Sequence, residues 1–143
     1  MKIAILGNGG REHSLAWAIN NSKKTKKIFC IPGNAGTTEI AENINIDISD
    51  FNLVYDFIKK NSIDLVIVGP EKPLVEGIVD FLEDRNIAVF GPKKIPAQLE
   101  GSKIFTKKIC KKYNIPTANF GIFESKELAF KFLNKTKMPI VIK

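Results

Sequence analysis

The sequence predicts an α/β protein with a mostly parallel sheet, and three features lead to that prediction. Short apolar runs alternate with stretches of helical periodicity up to residue 91, the order expected when strands and helices succeed one another. The run 64–68 (DLVIV) is apolar at every position after Asp64, like a strand that is buried on both faces. Glycine-rich turns follow several of these runs, as they do where parallel strands lead into helices.

Five strands are predicted before residue 91, each from its own local pattern. The first run ends at Gly7 and the second at Pro32-Gly33, which are residues that terminate strands. Isoleucines alternate with polar residues from 44 to 48, and this alternation predicts a short, half-buried strand. The predicted strands are 2–6, 27–31, 44–48, 64–68 and 88–90.

Three helices are predicted between these strands. The first covers 11–20, Asp50 is a good N-cap for the second, and Pro73 opens the third. Each has apolar residues at helical spacing, which predicts the face that packs on the sheet. These residues are Leu15, Ala16 and Ile19 in the first helix, Leu53, Val54, Phe57 and Ile58 in the second, and Leu74, Val75, Ile78, Val79 and Leu82 in the third.

The pattern of alternating strands and helices changes after residue 91. Ser102 and Ser125 are N-cap candidates for two helices, the second of which turns Leu128, Ala129, Phe132 and Leu133 inward. The predicted elements are helices at 93–99, from 102 to about 114–116 and from 125, with strands at 118–123 and 138–143.

Composition excludes several classes of protein. The net charge is +7, but 20 of the 22 basic residues are Lys, while Arg, the residue favoured for forked phosphate and base contacts, occurs only twice. We therefore expect a solvated surface and no nucleic-acid partner. No apolar run approaches the roughly 20 residues that span a bilayer, and Cys30 and Cys110 lack metal-ligand spacing. We expect a cytoplasmic protein without a membrane partner.

The first candidate site is Gly7-Asn8-Gly9-Gly10-Arg11-Glu12-His13, between the first strand and the first helix. Bare backbone N–H groups and Arg11 at a helix start suit a phosphate or carboxylate, although a merely tight turn remains the alternative. Glu12 stands where a dinucleotide fingerprint needs its third glycine, and would face an incoming pyrophosphate. This argues against a nicotinamide-dependent oxidoreductase. A histidine such as His13, taken by itself, is more often a capping or core residue than a catalytic one.

Two further turns, 32–37 and 69–74, follow the second strand and the buried strand. Ligands of open α/β sheets bind at the carboxyl ends of the strands, so the three turns together predict a pocket at that edge. Simple turn punctuation is the alternative for each turn alone. Glu71 stands out because it is an acidic residue inside a Gly-Pro turn.

Lys103 is a candidate for contact with a nucleotide phosphate. Lys103 follows a small-residue turn at a helix start, and Lys143 ends the last predicted strand. A surface lysine and a solvated terminus are the alternatives.

In this order, the segments resemble the glycinamide ribonucleotide synthetase family, also called phosphoribosylamine–glycine ligases, of the ATP-grasp superfamily. Each matching stretch is weak alone, but five of them in register are specific. They are GNGGREH (7–13), PGNAGT (32–37), VGPEKPLVEGIVD (68–80), FGPKKIPAQLEGSKIFTK (90–107) and PIVIK (139–143).

The resemblance implies a Rossmann-like, pre-ATP-grasp domain at 1–100 and the start of an ATP-grasp domain at 101–143. The family joins glycine to 5-phosphoribosylamine with ATP and Mg²⁺ (Mn²⁺ is an alternative) in de novo purine synthesis. Glycine is phosphorylated to an acyl phosphate, and the amine then displaces phosphate. The metal ligands would lie outside this chain, because no carboxylate here matches them.

The resemblance also implies roles for individual residues, but no catalytic residue is assigned. Lys103 and Lys143 would contact ATP. The substrate pocket would be lined by Asn8, Gly9, Gly10, Arg11, Glu12, His13, Pro32, Gly33, Asn34, Ala35, Gly36, Thr37, Pro70, Glu71, Pro73 and Leu74. Family members are much longer, so we expect the 143 residues to be a fragment that makes no product alone.

Overall fold

The computed structural model describes residues 1–142. It divides into two compact units, one from Met1 to Gly101 and the other from Ser102 onward. The first unit contains a sheet with helices on both faces, and the second contains two helices joined by an irregular segment. No helix among the described residues is long and apolar enough to cross a membrane.

A five-stranded, fully parallel sheet forms the centre of the first unit, which confirms the predicted fold class. Its strands in chain order are β1 (Lys2–Gly7), β2 (Lys27–Pro32), β3 (Glu42–Asn43), β4 (Leu65–Val68) and β5 (Val89–Phe90). They lie in the spatial order β3-β2-β1-β4-β5. Because β1 is central, the turns after β1, β2 and β4 emerge side by side at one edge.

Seven α-helices lie within residues 1–142. The first unit has α1 (Gly10–Asn20), α2 (Phe51–Asn61), α3 (Glu71–Glu76), α4 (Ile78–Glu83) and α5 (Lys94–Gly101), and the second has α6 (Lys103–Lys112) and α7 (Lys126–Leu133). The three predicted side-chain caps are confirmed. Asp50 accepts from the backbone amides of Asn52 and Leu53, and the hydroxyls of Ser102 and Ser125 accept from Phe105 and Leu128.

The core of the first unit lies on both faces of the sheet. Ile3 and Ile5 of β1 pack with Ala16 of α1 on one face. Ala4 and Leu6 point to the other face, where α2 and α4 contribute buried residues. Strands covered by helices on both sides have few polar positions, which is why β1 and β4 are continuous apolar runs in the sequence.

The predicted strand at 44–48 is wrong, because the paired segment ends at Asn43. The Ile46 N–H donates to the carbonyl oxygen of Ile44 rather than to a neighbouring strand. Ile44, Ile46 and Ile48 nevertheless pack against the buried core. The alternating pattern therefore indicates which side chains face the core, but it does not indicate whether the backbone pairs with another strand.

The single helix predicted from Pro73 is two helices, α3 and α4, which separate at Gly77. Gly77 has a φ of 103°, a left-handed conformation that ends a helix and that residues with a Cβ rarely adopt. Helix α3 begins at Glu71, so Pro73 lies in its first turn. Leu53, predicted for the buried stripe of α2, is 50% exposed, because Val54 and Ile58 define the face that packs on the sheet.

In the second unit, the strands predicted at 118–123 and 138–143 are not found among the described residues. A strand needs a neighbour to accept and donate its backbone hydrogen bonds, and the described part of this unit supplies none. Helix α7 forms as predicted, but Leu128 is exposed, whereas Ala129, Phe132 and Leu133 are half-buried. Lys143 lies outside the described residues.

Candidate functional site

Three glycine-containing turns meet at the carboxyl end of the parallel sheet. Gly7 at the end of β1 is in register with Pro32 of β2, and Leu6 is in register with Val68 of β4. The turns that follow are 8–9, 33–37 and 69–70, which we call the first, second and third turns. The structure therefore brings the three predicted motifs to one edge of the sheet.

Glu12 of α1 points into the protein, beneath the first turn. Its Oε2 accepts a hydrogen bond from the Gly9 N–H at 2.6 Å, and the residue is only 4% exposed. A Cβ on Gly7 would lie 2.6 Å from Glu12 Cγ, and one on Gly69 would overlap Glu12 Oε1. The side chain thus fills space that two glycines leave open, instead of facing a ligand as its position in the fingerprint predicted.

Arg11 joins the first turn to the third. Its Nη1 donates to the Gly69 carbonyl oxygen at 2.6 Å, and its Nη2 lies 3.8 Å from Glu100 Oε1. The Arg11 side chain is still 57% exposed. It can therefore hold the third turn and at the same time present guanidinium N–H groups to a ligand.

The second turn is bound to the first by backbone and side-chain hydrogen bonds. The Gly33 N–H donates to Gly7 O at 3.2 Å. The Asn34 side-chain amide donates to Asn8 O at 2.9 Å and to Gly9 O at 3.2 Å. The half-buried His13 imidazole lies beside the second turn, because a Cβ on Gly36 would be 3.1 Å from its Cε1.

The remaining residues of the second motif divide by exposure. Thr37 is completely buried, Ala35 is exposed, and Pro32 at the end of β2 is half-buried. Thr37 therefore supports the turn from beneath, whereas Ala35 lies on its outer side.

The third turn leads directly into α3, with Pro70 at the N-cap position. Glu71 is exposed, whereas Pro73 and Leu74 are buried, and Leu74 belongs to the hydrophobic core at 5% exposure. Of this motif, Glu71 is therefore the side chain that can reach a ligand, while Pro73 and Leu74 fix the helix to the sheet.

Open space lies at the start of α1. Apart from the two neighbouring residues and the backbone of α1 itself, no described residue comes within 4 Å of the position that a Cβ on Gly10 would occupy. Asn8 and Arg11 beside it are exposed. A helix N-terminus carries a partial positive charge and backbone N–H groups that are not used within the helix. With Arg11, this arrangement suits an anionic or strongly polar group.

Cys30 of β2 lies beneath the site. Burial raises the pKa of the Cys30 thiol, and the negative charge of Glu12 adds to that rise, whereas a hydrogen bond with Thr37 opposes it. The thiol is therefore protonated at neutral pH and acts as a small apolar group. Both Cys30 and Cys110 are free.

Comparison with known proteins agrees with this geometry. The family model described as "Phosphoribosylglycinamide synthetase, N domain" matches residues 1–100, which contain all three turns. The chain belongs to this family. Phosphoribosylamine–glycine ligases from Clostridium acetobutylicum and Mesorhizobium japonicum are 46% and 50% identical to it over 143 residues. Those matches cover 100% of the chain and 34% of each relative, so the chain spans about a third of their length.

The chain is also similar to solved structures, one of which is a phosphoribosylamine–glycine ligase. The phosphoribosylamine–glycine ligase of Thermotoga maritima matches 96% of this chain and 31% of its own, with a TM-score of 0.69 and 32% identity. N5-carboxyaminoimidazole ribonucleotide synthetase from Thermus thermophilus matches 96% of this chain and 37% of its own, with a TM-score of 0.68 and 20% identity. At that identity the second likeness shows the fold alone.

The two lysines that the sequence analysis expects to contact ATP are Lys103 and Lys143. Lys103 is the first residue of α6 and is exposed, and Lys143 is outside the described residues. Among residues 1–142, no group of three or more His, Cys, Asp and Glu side chains is placed to hold a metal ion. No metal ligand is assigned among these residues.

One residue that contacts these turns escaped the sequence analysis. Asn43 of β3 hydrogen-bonds the second turn through both ends of its side chain. It lies nine residues after Asn34, outside every motif, and its only sequence signal is a polar residue at the start of an alternating run.

Proposed function

We propose that residues 1–100 form the phosphoribosyl-binding domain of a phosphoribosylamine–glycine ligase, and that residues 101–143 begin its ATP-grasp domain. The observation that carries this proposal is the junction of three turns around the open start of α1, in a chain of the phosphoribosylglycinamide synthetase family. The whole enzyme would join glycine to 5-phosphoribosylamine in purine synthesis, with release of ADP and phosphate.

The residues at the sheet edge would act by binding and orientation. Arg11 and the backbone N–H groups at the start of α1 would hold the substrate phosphate, because they are cationic or hydrogen-bond donating and exposed. Glu71 would accept hydrogen bonds from the ribose hydroxyls or the amine. Pro32, Gly33, Asn34, Ala35, Gly36 and Thr37 would form the opposite wall, next to His13.

ATP and Mg²⁺, with Mn²⁺ as an alternative metal, are proposed as cofactors of the whole enzyme. ATP would supply the phosphoryl group that activates the glycine carboxylate. Within this chain, Lys103 and Lys143 are the proposed ATP contacts. The contribution of residues 1–100 is to hold the amine in place for attack on the activated carboxylate, which is an effect of positioning.

Titration of the chain with glycinamide ribonucleotide, the stable product, tests the proposal. Amide NMR signals at 7–13, 32–37 and 69–74 are expected to shift and saturate together. NADH serves as the comparison ligand and should not produce this set of shifts. An absence of saturable binding, or shifts confined to other residues, would contradict the phosphoribosyl pocket.

A pair of charge-matched variants sharpens this test. Arg11→Met is expected to weaken binding about tenfold or more, since a hydrogen bond to a charged group contributes roughly 1.5–3 kcal/mol. Lys23→Met removes the same charge from an exposed position outside the three turns and should leave the affinity within about twofold. Equal weakening by both variants would point to general attraction of an anion to a basic protein.

A further inference from the structure

Asn43 lies in β3, the outermost strand on one side of the sheet. It is one of only two residues in β3, where it pairs with Cys30 of β2. The following residue continues this attachment, because the Ile44 N–H donates to Cys30 O at 2.9 Å. The backbone of Asn43 is thus fixed by the sheet, and its half-buried side chain extends toward the second turn.

The Asn43 amide contacts the second turn at three points. Its Nδ2 donates to Asn34 O at 2.7 Å, and its Oδ1 lies 2.7 Å from Thr37 Oγ1. The same amide fits against Gly33, which has a φ of 77° and where a Cβ would overlap Asn43 Oδ1. The left-handed backbone and the close approach both require glycine at this position.

Hydrogen bonds with Thr37, which Asn43 also contacts, fix the direction of the Asn34 side chain. The Asn34 N–H donates to Thr37 Oγ1 at 2.8 Å, and Asn34 Oδ1 accepts from the Thr37 N–H at 3.0 Å. With its backbone and Oδ1 held in this way, the Asn34 Nδ2 group points at the first turn. There it donates to the carbonyl oxygens of Asn8 and Gly9.

We propose that Asn43 is a positioning residue for the substrate pocket, acting through Asn34 on the first turn. It holds the carbonyl oxygen of Asn34, Asn34 holds those of Asn8 and Gly9, and these two residues immediately precede the open start of α1. The inference rests on the proposed function, because the pocket that it orders is the one assigned to the phosphoribosyl substrate.

Asn43→Asp tests this chain of contacts with almost no change in shape. A carboxylate cannot donate to the Asn34 carbonyl oxygen, and it brings a negative charge against that oxygen. Asn45→Asp makes the same chemical change at an exposed residue two positions later and serves as the matched control. If Asn43→Asp does not fold, Asn43→Ser gives the second variant, since it keeps a small polar side chain but cannot span the same distance.

The readouts separate a positioning role from a general loss of stability. In the absence of ligand, Asn43→Asp is expected to shift the Gly9 amide and the Asn34 side-chain amide signals, while the strand signals of β1 and β4 stay in place. The affinity for glycinamide ribonucleotide should fall about tenfold, which corresponds to about 1.4 kcal/mol. Asn45→Asp should change neither.

Two results would overturn the inference. One is an unchanged affinity of the folded Asn43 variant, and the other is a weakened affinity with unmoved Gly9 and Asn34 signals. Failure of the wild-type chain to bind the nucleotide would instead contradict the proposed function. In that case the ligand-free Gly9 and Asn34 signals still decide whether Asn43 controls the first turn.

Discussion

Glu12 occupies the position where a dinucleotide-binding turn has its third glycine, and its carboxylate is buried. Where a dinucleotide-binding turn would bring helix and strand together through a small residue, this protein inserts Glu12 between Gly7 and Gly69 and ties it to the Gly9 N–H. A carboxylate hydrogen-bonded to a backbone amide at a helix start is favourable. As a result, neither Gly7 nor Gly69 can be replaced by a larger residue unless Glu12 moves.

Gly69→Ala is therefore expected to lower the free energy of unfolding by about 2–3 kcal/mol, because the new methyl group must displace Glu12 from the Gly9 N–H. Urea unfolding followed by circular dichroism measures this change. Gly10→Ala is the control, since its Cβ enters open space in the first turn of α1, and it should be neutral or slightly stabilising. Similar losses in both variants would contradict the packing assigned to Glu12.

Cys30 should react far more slowly with alkylating reagents than Cys110 in the folded protein. Its thiol is buried and its pKa is raised, so the reactive thiolate is scarce, whereas Cys110 is half-buried. Alkylation of Cys110→Ser and Cys30→Ser variants at pH 8 measures each thiol separately. The difference should vanish in denaturant, and equal native rates would contradict the buried position of Cys30.

The raised pKa of the Cys30 thiol also makes the free energy of unfolding depend on pH. Because the pKa of Cys30 is higher in the folded state, the protonated thiol favours folding below the unfolded-state pKa, and this contribution is lost as pH rises above about 8.5. The free energy of unfolding of the wild type is therefore expected to fall more between pH 7.5 and 9.5 than that of Cys30→Ala. Parallel pH profiles for the two proteins would contradict this expectation.

Among the helices, the break at Gly77 is the feature that a single substitution can test. Gly77→Ala is expected to lower the free energy of unfolding by about 1–2 kcal/mol, since the left-handed backbone strains a residue with a Cβ. Thermal or urea unfolding measures the loss. Glu76→Ala, at the exposed preceding position, should remain within about 0.5 kcal/mol of the wild type. A neutral Gly77→Ala would show that α3 and α4 can join at no cost.

Secondary-structure elements could be predicted where they depend on residues nearby in the sequence, and less well where they depend on pairing with another strand. Asp50, Ser102 and Ser125 cap the helices that they were predicted to cap, because a cap needs only the next two or three residues. The segment 44–48 failed as a strand because alternation follows burial, whereas pairing requires a partner strand at the right distance. Gly77 was read as one more helical residue, since its φ does not follow from composition.

For the molecule as a whole, the two units differ in how much they bury. The first unit has apolar clusters on both faces of its sheet. Helices α6 and α7 of the second unit contain no buried residue, and Ile104, Leu128 and Phe130 are about half exposed. Segments with few buried contacts open at low free energy.

Amide hydrogens in 103–142 are therefore expected to exchange faster than those of β1, β2 and β4. Hydrogen exchange followed by mass spectrometry or NMR gives the protection of each segment. Because α2 is tied to the core by the fully buried Val54 and nearly buried Ile58, it provides a helical comparison within the first unit. Equal protection of α2, α6 and α7 would contradict the expected difference between the units.

The sequence by itself determined the alternation of strands and helices, the caps and the three glycine-containing turns, because each depends on residues close together in the chain. Tertiary structure alone decided that Glu12 turns inward, that Arg11 reaches Gly69 and that Asn43 holds the second turn. Those outcomes depend on which backbone groups other strands bring within reach. Local preference sets the path of the chain, whereas packing sets the direction in which its polar side chains point.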